Sequence, residues 1–482
     1  MPQLTRRTAA AALAGAAMLR AAPRRPNFVF VYADDQRYDC LGAVQREQGA
    51  AARFPWFETP NLDRLAAGGI RFRNAFVVHS LCTPSRASYL TGRYTHSHGV
   101  YTNFTPFPAG MPNFGSLLRA AGYETAYIGK WHMGDQSGQR PGFSYSASYE
   151  GQGRYFHCPF EVNGQTAGTQ GWVDDAATDF AIEFLRKRRS QPFALALGFK
   201  SPHADFNPPA RLRNKFKGCK PGPAVNHTDL PIYLGRVHVA DPRHEKSGGN
   251  RRVEDLLNYF RVIAGADENV GRLLKALDEA GLSEDTMVIY ASDNGYHLGE
   301  HGIGDKRSAY EVSMRVPLLV RYPRLGRTGT ADGMALNIDL APTMLDFAGV
   351  PVPPEMQGRS WRPLLEGRAA RIRDAFFYEY FFSYKDITDY EIQTANCPIT
   401  PTIAAVRTGT AKLIKYPERD WVELFDLARD PYERDNLAAL PEHAQLREQM
   451  ERLHAREMKA VGFRYPPGYQ PPPVEGLEEW RR

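Results

Sequence analysis

Asp34 and Asp35 close the run "NFVFVYADD", and Asp293 and Asn294 close a second run, "DTMVIYASDNG". Both runs are almost unbroken apolar stretches, the pattern of central strands buried on both faces. Carboxylates side by side at the ends of such strands repel one another and lose hydration, which is costly unless a cation holds them. A donor set made of oxygen alone suits a hard ion, and the flexible, carboxylate-rich composition favours calcium. Taken by themselves, the four residues are also compatible with acids solvated in loops.

Cys82 stands in "HSLCTPSRASYLTGRY". A thiol there could be a buried side chain, a nucleophile, a metal ligand or the precursor of another group. A tyrosine-phosphatase type of loop needs five residues between cysteine and arginine, whereas only three separate Cys82 from Arg86, Pro84 among them. No second cysteine or paired histidine lies at zinc spacing. The other four cysteines, Cys40, Cys158, Cys219 and Cys397, would allow two disulfides in an oxidising compartment, in three pairings among which the sequence does not choose.

The elements that must carry these groups alternate. "QPFALALGFKSPH" reads as another buried strand and ends in His203, while "FGSLLRAAG" is a short helix leading into "YETAYIGKWH" with Lys130 and His132. From Val253 to Ala280 apolar residues recur at three- and four-residue steps, as they do more weakly from Val173 to Arg189, giving helices with one buried face. "MRVPLLVRYP" reads as a strand followed by a helix around "IDLAPTMLDFAG". This alternation implies an α/β fold with a large, mostly parallel central sheet flanked by helices, and such sheets bind ligands beyond the carboxyl ends of their strands. After residue 365 the short runs "AFFYEYFFSY", "IAAVRTGTAKLIKYP" and "DWVELFDLARDP" and the charged segment "EHAQLREQMERLHAREM" imply a smaller antiparallel sheet with a helix. The expected organisation is a leader over 1–25, a catalytic α/β domain over 26–365 and a C-terminal α+β subdomain over 366–482. The stretches 137–171 and 204–250 read as surface excursions.

Composition sets outer limits. With 43% apolar and 24% charged residues, the 482-residue chain is of ordinary globular type. No run reaches the roughly 18 apolar residues needed to span a bilayer. Arg6 and Arg7 precede an Ala-rich, acid-free segment, the pattern of a twin-arginine export signal to the periplasm or exterior. Cleavage after Ala22 would remove Arg6, Arg7 and Arg20 and halve the formal charge of +6. The basic balance therefore makes no case for nucleic acid, and no basic run interleaved with aromatics marks a nucleic-acid groove.

The blocks "ADDQRYD", "TPNLDRLAAGGIRF", "LCTPSRASYLTGRY", "GYETAYIGKWHMG", "GFKSPH", "SDNGYHLGEHG", "DKRSAYE" and "ELFDLARDPYERDNL" together resemble the type I sulfatases of the alkaline-phosphatase-like superfamily, in family order and over nearly the whole mature chain. The resemblance implies that Cys82 is converted to formylglycine by a separate formylglycine-generating enzyme, which reads Pro84 and Arg86. It further implies one calcium ion held by Asp34, Asp35, Asp293, Asn294 and the modified Cys82. Arg86 would stabilise the hydrated aldehyde, Lys130 would bind sulfate and His132 the hydrate. Lys306 would hold sulfate near the leaving oxygen, and His203 would contact or protonate the leaving group.

Taken singly, the two lysines could be surface residues and the two histidines satisfied strand-end residues. The Asp-Asn form of the second acidic pair supports one calcium over the two zincs of phosphatases, which use more histidine. The pattern is most similar to enzymes acting on sulfated sugars, such as the iduronate and N-acetylglucosamine sulfatases, with Trp131, Tyr155 and His157 as candidates for sugar contact. His297 and His301 read as loop residues near the site, and Tyr89, Tyr94 and His96 as packing. A phosphonate or phosphate ester hydrolase on the same scaffold and a non-catalytic sulfated-glycan-binding protein are the alternatives.

Overall fold

Every residue of the strand β1 (Asn27–Ala33) is buried, because its alternate side chains serve two cores. Phe28, Phe30 and Tyr32 point into one core, and Val29, Val31 and Ala33 into the other. The computed structural model describes residues 25–233, 253–383 and 400–470. The expected leader lies outside the described residues but for Arg25, as does Cys397.

In chain order the further strands are β2 (Ile70–Phe72), β3 (Ala75–Phe76), β4 (Glu124–Lys130), β5 (Tyr145–Tyr149), β6 (Phe160–Val162), β7 (Gln165–Ala167), β8 (Phe193–Gly198) and β9 (Thr286–Ser292). They are followed by β10 (Leu318–Arg321), β11 (Gly329–Ala331), β12 (Ala335–Leu336), β13 (Ala375–Tyr380), β14 (Ile403–Thr408), β15 (Ala411–Tyr416) and β16 (Trp421–Asp426). Ten form one mixed sheet in the order β11-β2-β10-β9-β1-β8-β4-β5-β6-β7. The five strands from β9 to β5 are parallel. Antiparallel strands extend both sides of this block, β10 on one and β6 on the other. The run around "PLLVRYP" is thus a strand, as its composition implies, but it returns antiparallel because the chain from Asp293 to Val316 loops over the sheet end instead of crossing it as a helix.

Helices cover both faces. Val173–Arg186 and Val253–Glu279 pack against each other on one side, with Pro60–Ala67 beside them. Cys82–Thr91, Phe114–Ala120 and Leu340–Ala348 pack together on the other. The stretch 137–171 is not wholly a surface excursion, since β5 inside it joins the sheet and is buried along four of its five residues. Cys40, Cys82, Cys158 and Cys219 carry free thiols, so the two disulfides that the count allows are not formed. Cys40 and Cys158 are held apart in different apolar clusters. No helix of the described residues is long and apolar enough to cross a membrane.

The strands β13 to β16 form a separate antiparallel meander, with the helix Ala444–Val461 laid against it. This sheet is fastened to the large one by buried charge. His96 Nδ1 lies 2.6 Å from Glu379 Oε2, its backbone N–H donates to Glu379 Oε1 (3.0 Å), and both side chains are fully buried. The other ring nitrogen faces the Val461 carbonyl at 2.9 Å, which ties the end of the last helix to the same histidine. Arg407 grips Glu311 in a two-pronged pair of 3.0 and 3.1 Å, and Lys412 joins Glu311 (2.9 Å) and Glu433 (2.6 Å).

Removing one member of a buried pair leaves an uncompensated charge, at a cost of about 3–5 kcal/mol. Glu311→Ala, which strands the buried guanidinium of Arg407, is therefore expected to lower unfolding stability by that amount in urea titration. A loss below about 0.5 kcal/mol, the scale of neutral surface changes, would show that the pair does not fasten the two sheets.

Candidate active site

The site is assembled by register. Ala33 of β1 pairs with Ser292 of β9, so Asp34 and Asp35 emerge beside Asp293 and Asn294. Gly129 of β4 pairs with Gly198 of β8, so Lys130 and the segment Lys200–His203 emerge at the same end. A Cβ on Gly129 would come within 2.1 Å of the Gly198 carbonyl, so only glycine lets these two strands close beneath the lysine. Asp34 and Asp35 are thereby brought against Asp293: one oxygen from each carboxylate lies within 4.8 Å of the others, and all three residues are fully buried.

Cys82 opens the helix Cys82–Thr91, whose ten residues are all buried. A helix surrounded on every side has no polar face and hence no amphipathic signature, which is why periodicity does not reveal it. The Cys82 Sγ sits 3.3 Å from Asp34 Oδ1 and 4.0 Å from Asp35 Oδ1. Burial, and next the Asp34 charge, push the thiol well above its ordinary pKa. It is a neutral thiol at neutral pH and a poor nucleophile as it stands.

Each carboxylate meets its own cation. Lys130 Nζ contacts Asp34 Oδ2, and Lys306 Nζ donates to Asp35 Oδ2 (2.9 Å). Arg86 Nε donates to Asp293 Oδ2 (2.8 Å) and its Nη1 to the Lys130 carbonyl (2.7 Å), with the guanidinium 4.7 Å from the Tyr32 ring centre. Burial works to raise Asp34, yet Lys130, His203, Arg86 and Lys306 hold it well below the usual carboxylate range. Asp293 is raised instead, first by burial and then by Asp34. Burial and the repulsion between Asp34 and Asp293 thus keep the three carboxylates from all ionising freely, the condition a bound cation relieves.

A further observation fits an ion. The amide of Asn294 is anchored through Nδ2 to Asp35 Oδ1 (2.6 Å) and to the Gly295 carbonyl (2.8 Å), while its Oδ1 is buried without a hydrogen-bond partner. An orphaned oxygen beside three carboxylates completes a hard-cation donor set of the kind calcium takes. Asp34, Cys82 and His203 form an overlapping trio whose ligand atoms also gather within 4.8 Å.

His203 Nε2 lies 3.4 Å from Lys306 Nζ and 3.9 Å from Asp35 Oδ2, with Nδ1 2.5 Å from the Ala204 carbonyl. His132, buried and at positive φ, is tied by its carbonyl to Thr83 Oγ1 at 2.6 Å. The residues singled out in the sequence therefore meet at one sheet end. Those proposed for sugar contact do not share one role. Trp131 is fully buried and donates to Gln136 Oε1 (2.8 Å); Tyr155 is buried and donates to the His203 carbonyl (2.6 Å). Their polar atoms are spent inside the protein, and of the three only His157 is exposed.

His297 is an internal strut between Ser308 Oγ (2.8 Å) and the Glu300 carbonyl (3.1 Å), and burial lowers its pKa to about 3. His301 stacks on Tyr310 at 3.9 Å.

Three supporting residues escape sequence reasoning. Gln152 contacts Lys130 Nζ through its side-chain oxygen and accepts from Lys200 Nζ (3.1 Å) through its carbonyl. Asp174 accepts from the backbone N–H groups of Lys200 (2.8 Å) and Ser201 (3.1 Å), fixing the turn that carries His203. Lys200 stands in the same strand-end block as His203 and could have been noticed there. Gln152 and Asp174 carry no local signal.

The sequence pattern of the sulfatase family matches residues 26–350, and that of the C-terminal region of N-sulphoglucosamine sulphohydrolase matches residues 299–459. An N-acetylglucosamine-6-O-sulfatase of Bacteroides thetaiotaomicron is 30% identical, over 89% of this chain and 86% of the relative. A solved structure in complex with its substrate D-glucosamine-2-N,6-O-disulfate superposes with a TM-score of 0.78 at 29% identity, over 91% of this chain and 98% of that one. The phosphonate monoester hydrolase of Agrobacterium radiobacter shares the fold, with a TM-score of 0.75 at 24% identity over 91% of this chain and 96% of the other.

A ligand at a hundredfold excess over its Kd stabilises the folded state by about 2.7 kcal/mol. Calcium added to metal-stripped protein is therefore expected to raise the thermal midpoint by several degrees, and Asp293→Ala or Asn294→Ala to remove most of that rise. A midpoint indifferent to every divalent ion would reject the metal site.

Proposed function

The chain belongs to the sulfatase family, the sulfuric ester hydrolases, and from that premise we propose that it removes the 6-O-sulfate of glucosamine units in sulfated glycans. What carries the reading is the meeting of Cys82 with three carboxylates and the cations Arg86, Lys130 and Lys306 at one sheet end. What supports the glucosamine 6-sulfate specificity is the 30% identity to an N-acetylglucosamine-6-O-sulfatase, with a structural neighbour 29% identical whose substrate, D-glucosamine-2-N,6-O-disulfate, carries that sulfate.

Asp34, Asp35, Asp293 and Asn294 would hold a calcium ion, which supplies Lewis-acid polarisation of the sulfate and a lowered pKa for the attacking hydroxyl. Cys82, oxidised to formylglycine and hydrated, would supply that hydroxyl, and loss of the proton of its second hydroxyl would re-form the aldehyde while the C–O bond to the sulfated oxygen breaks and sulfate leaves. The chain's own side chains do the rest. Lys130 and Lys306, each already seated on a carboxylate, turn toward the sulfate oxygens and neutralise charge as the S–O bond breaks. Arg86 is held by Asp293 and the Lys130 carbonyl, so its guanidinium orients the first turn of the Cys82 helix without searching rotamers. His203 faces the Ala204 carbonyl with Nδ1, which reserves Nε2 to hold the proton delivered to the departing sugar oxygen. In-line displacement directs that oxygen away from Cys82.

The high thiol pKa of Cys82 supports conversion over direct thiolate attack. Maturation by a formylglycine-generating enzyme and export under the Arg6–Arg7 signal belong to the same reading. The phosphonate-ester alternative rests on likeness of fold.

General acid catalysis contributes about 10²–10⁴ in rate. His203→Ala is accordingly expected to slow hydrolysis of N-acetylglucosamine 6-sulfate by about that factor while sparing 4-nitrophenyl sulfate, whose leaving group needs little protonation. Equal losses on both would remove His203 from that role. Cys82→Ala is expected to abolish turnover of either ester, and mass spectrometry of the tryptic peptide carrying Cys82 to find the aldehyde in active material. A clear preference for a nitrophenyl phosphonate over the sulfate would reject the sulfatase reading.

A further inference from the structure

A cleft of about 350 Å³ lies at the seam of the two sheets, on the sheet end that also carries the active site. Tyr38 on its wall follows Asp35 by three residues, and Glu311 follows Lys306 by five. Its other wall comes from Arg71 and Arg73, at the end of β2, and Arg315, just before β10. Leu319 of β10 pairs with Arg71 and Leu318 with Ala291 of β9, so these residues stand at the same sheet end as Asp293. The volume lies within the range of about 300–1,000 Å³ typical of small-molecule sites, which favour such seams.

Its charge is unbalanced. Arg71 and Arg73 share the single carboxylate of Glu47, Arg73 reaching Asp332 as well. Arg407 occupies Glu311, which Lys412 also engages. Arg315 has no carboxylate partner among the described residues. Its Nε donates to the Arg73 carbonyl (3.0 Å), and its guanidinium lies 4.3 Å from the centre of the Tyr38 ring. Tyr432, 47% exposed, forms the outer lip. A guanidinium with no ion-paired carboxylate, stacked on Tyr38, matches the acid group of an anionic sugar, and the ring of Tyr432 on the same cleft offers a surface for the apolar sugar face.

We propose that this cleft is a second subsite, which binds a neighbouring sugar of the same glycan chain through its sulfate or carboxylate group. The proposal rests on the glycan-sulfatase reading above.

Gly409 lines the cleft, and a Cβ there meets nothing within 4 Å. Charge of either sign can therefore be added without repacking. With the uncleavable Cys82→Ala background, calorimetric binding of a sulfated glucosamine–uronic acid tetrasaccharide is expected to weaken about fivefold in Gly409→Glu and to tighten in Gly409→Arg. Arg315→Ala should weaken it roughly tenfold. Binding of the 6-sulfated monosaccharide should stay unchanged in all three. A merely structural cleft cannot give opposite shifts at one position. A carboxyl-reduced tetrasaccharide that keeps the shifts identifies sulfate as the bound group, and one that loses them identifies the carboxylate. Tetrasaccharide affinity unchanged in all three variants would overturn the subsite while leaving the activity reading intact. Absence of any turnover of 6-sulfated glucosamine by modified enzyme would instead fell that reading, with the binding shifts still reporting on the cleft.

Discussion

Three carboxylates forced together on the tips of two neighbouring parallel strands set the terms for everything around them. In water they would stay apart. Here β1 and β9, pinned in register by two apolar cores, allow no separation, since a slip of one residue would turn each strand's core side chains to the wrong face. Arg86, Lys130 and Lys306 answer the three charges one for one. A site so balanced becomes positive when a divalent ion enters, and an anionic ester is then drawn to it. Full burial magnifies each of these interactions relative to water.

The small sheet belongs to the same frame. Tyr378 of β13 accepts from the backbone N–H of Ser80 (3.2 Å) and donates to the Ser308 carbonyl (2.9 Å). One phenol thus links the segment entering the Cys82 helix to the loop that carries Lys306. Together with the buried pair of His96 and Glu379, this contact makes the position of the loops around Cys82 and Lys306 depend on the docking of the C-terminal region.

Much of this was legible because burial and chemistry left the same mark. Strands such as β1 and β9 are apolar throughout and end abruptly in acids, so their type and their functional end are written together. The antiparallel return of β10 is not written, since strand direction depends on a connection whose path is tertiary. Cys82 could be read only by likeness, for a helix buried on every side carries no periodic face. Trp131 and Tyr155 misled because an aromatic residue near a site reads the same whether it faces a ligand or fills the core behind it. Gln152 reaches Lys130 from a stretch that looks like surface, and no spacing could have announced the contact.

The interment of Cys82 also fixes an order of events. A side chain with no exposed surface, at the head of a helix enclosed by both the large core and the seam, offers no purchase to a second protein once the chain has folded. Any enzyme that rewrites this cysteine must therefore meet it on the nascent or still-unfolded chain.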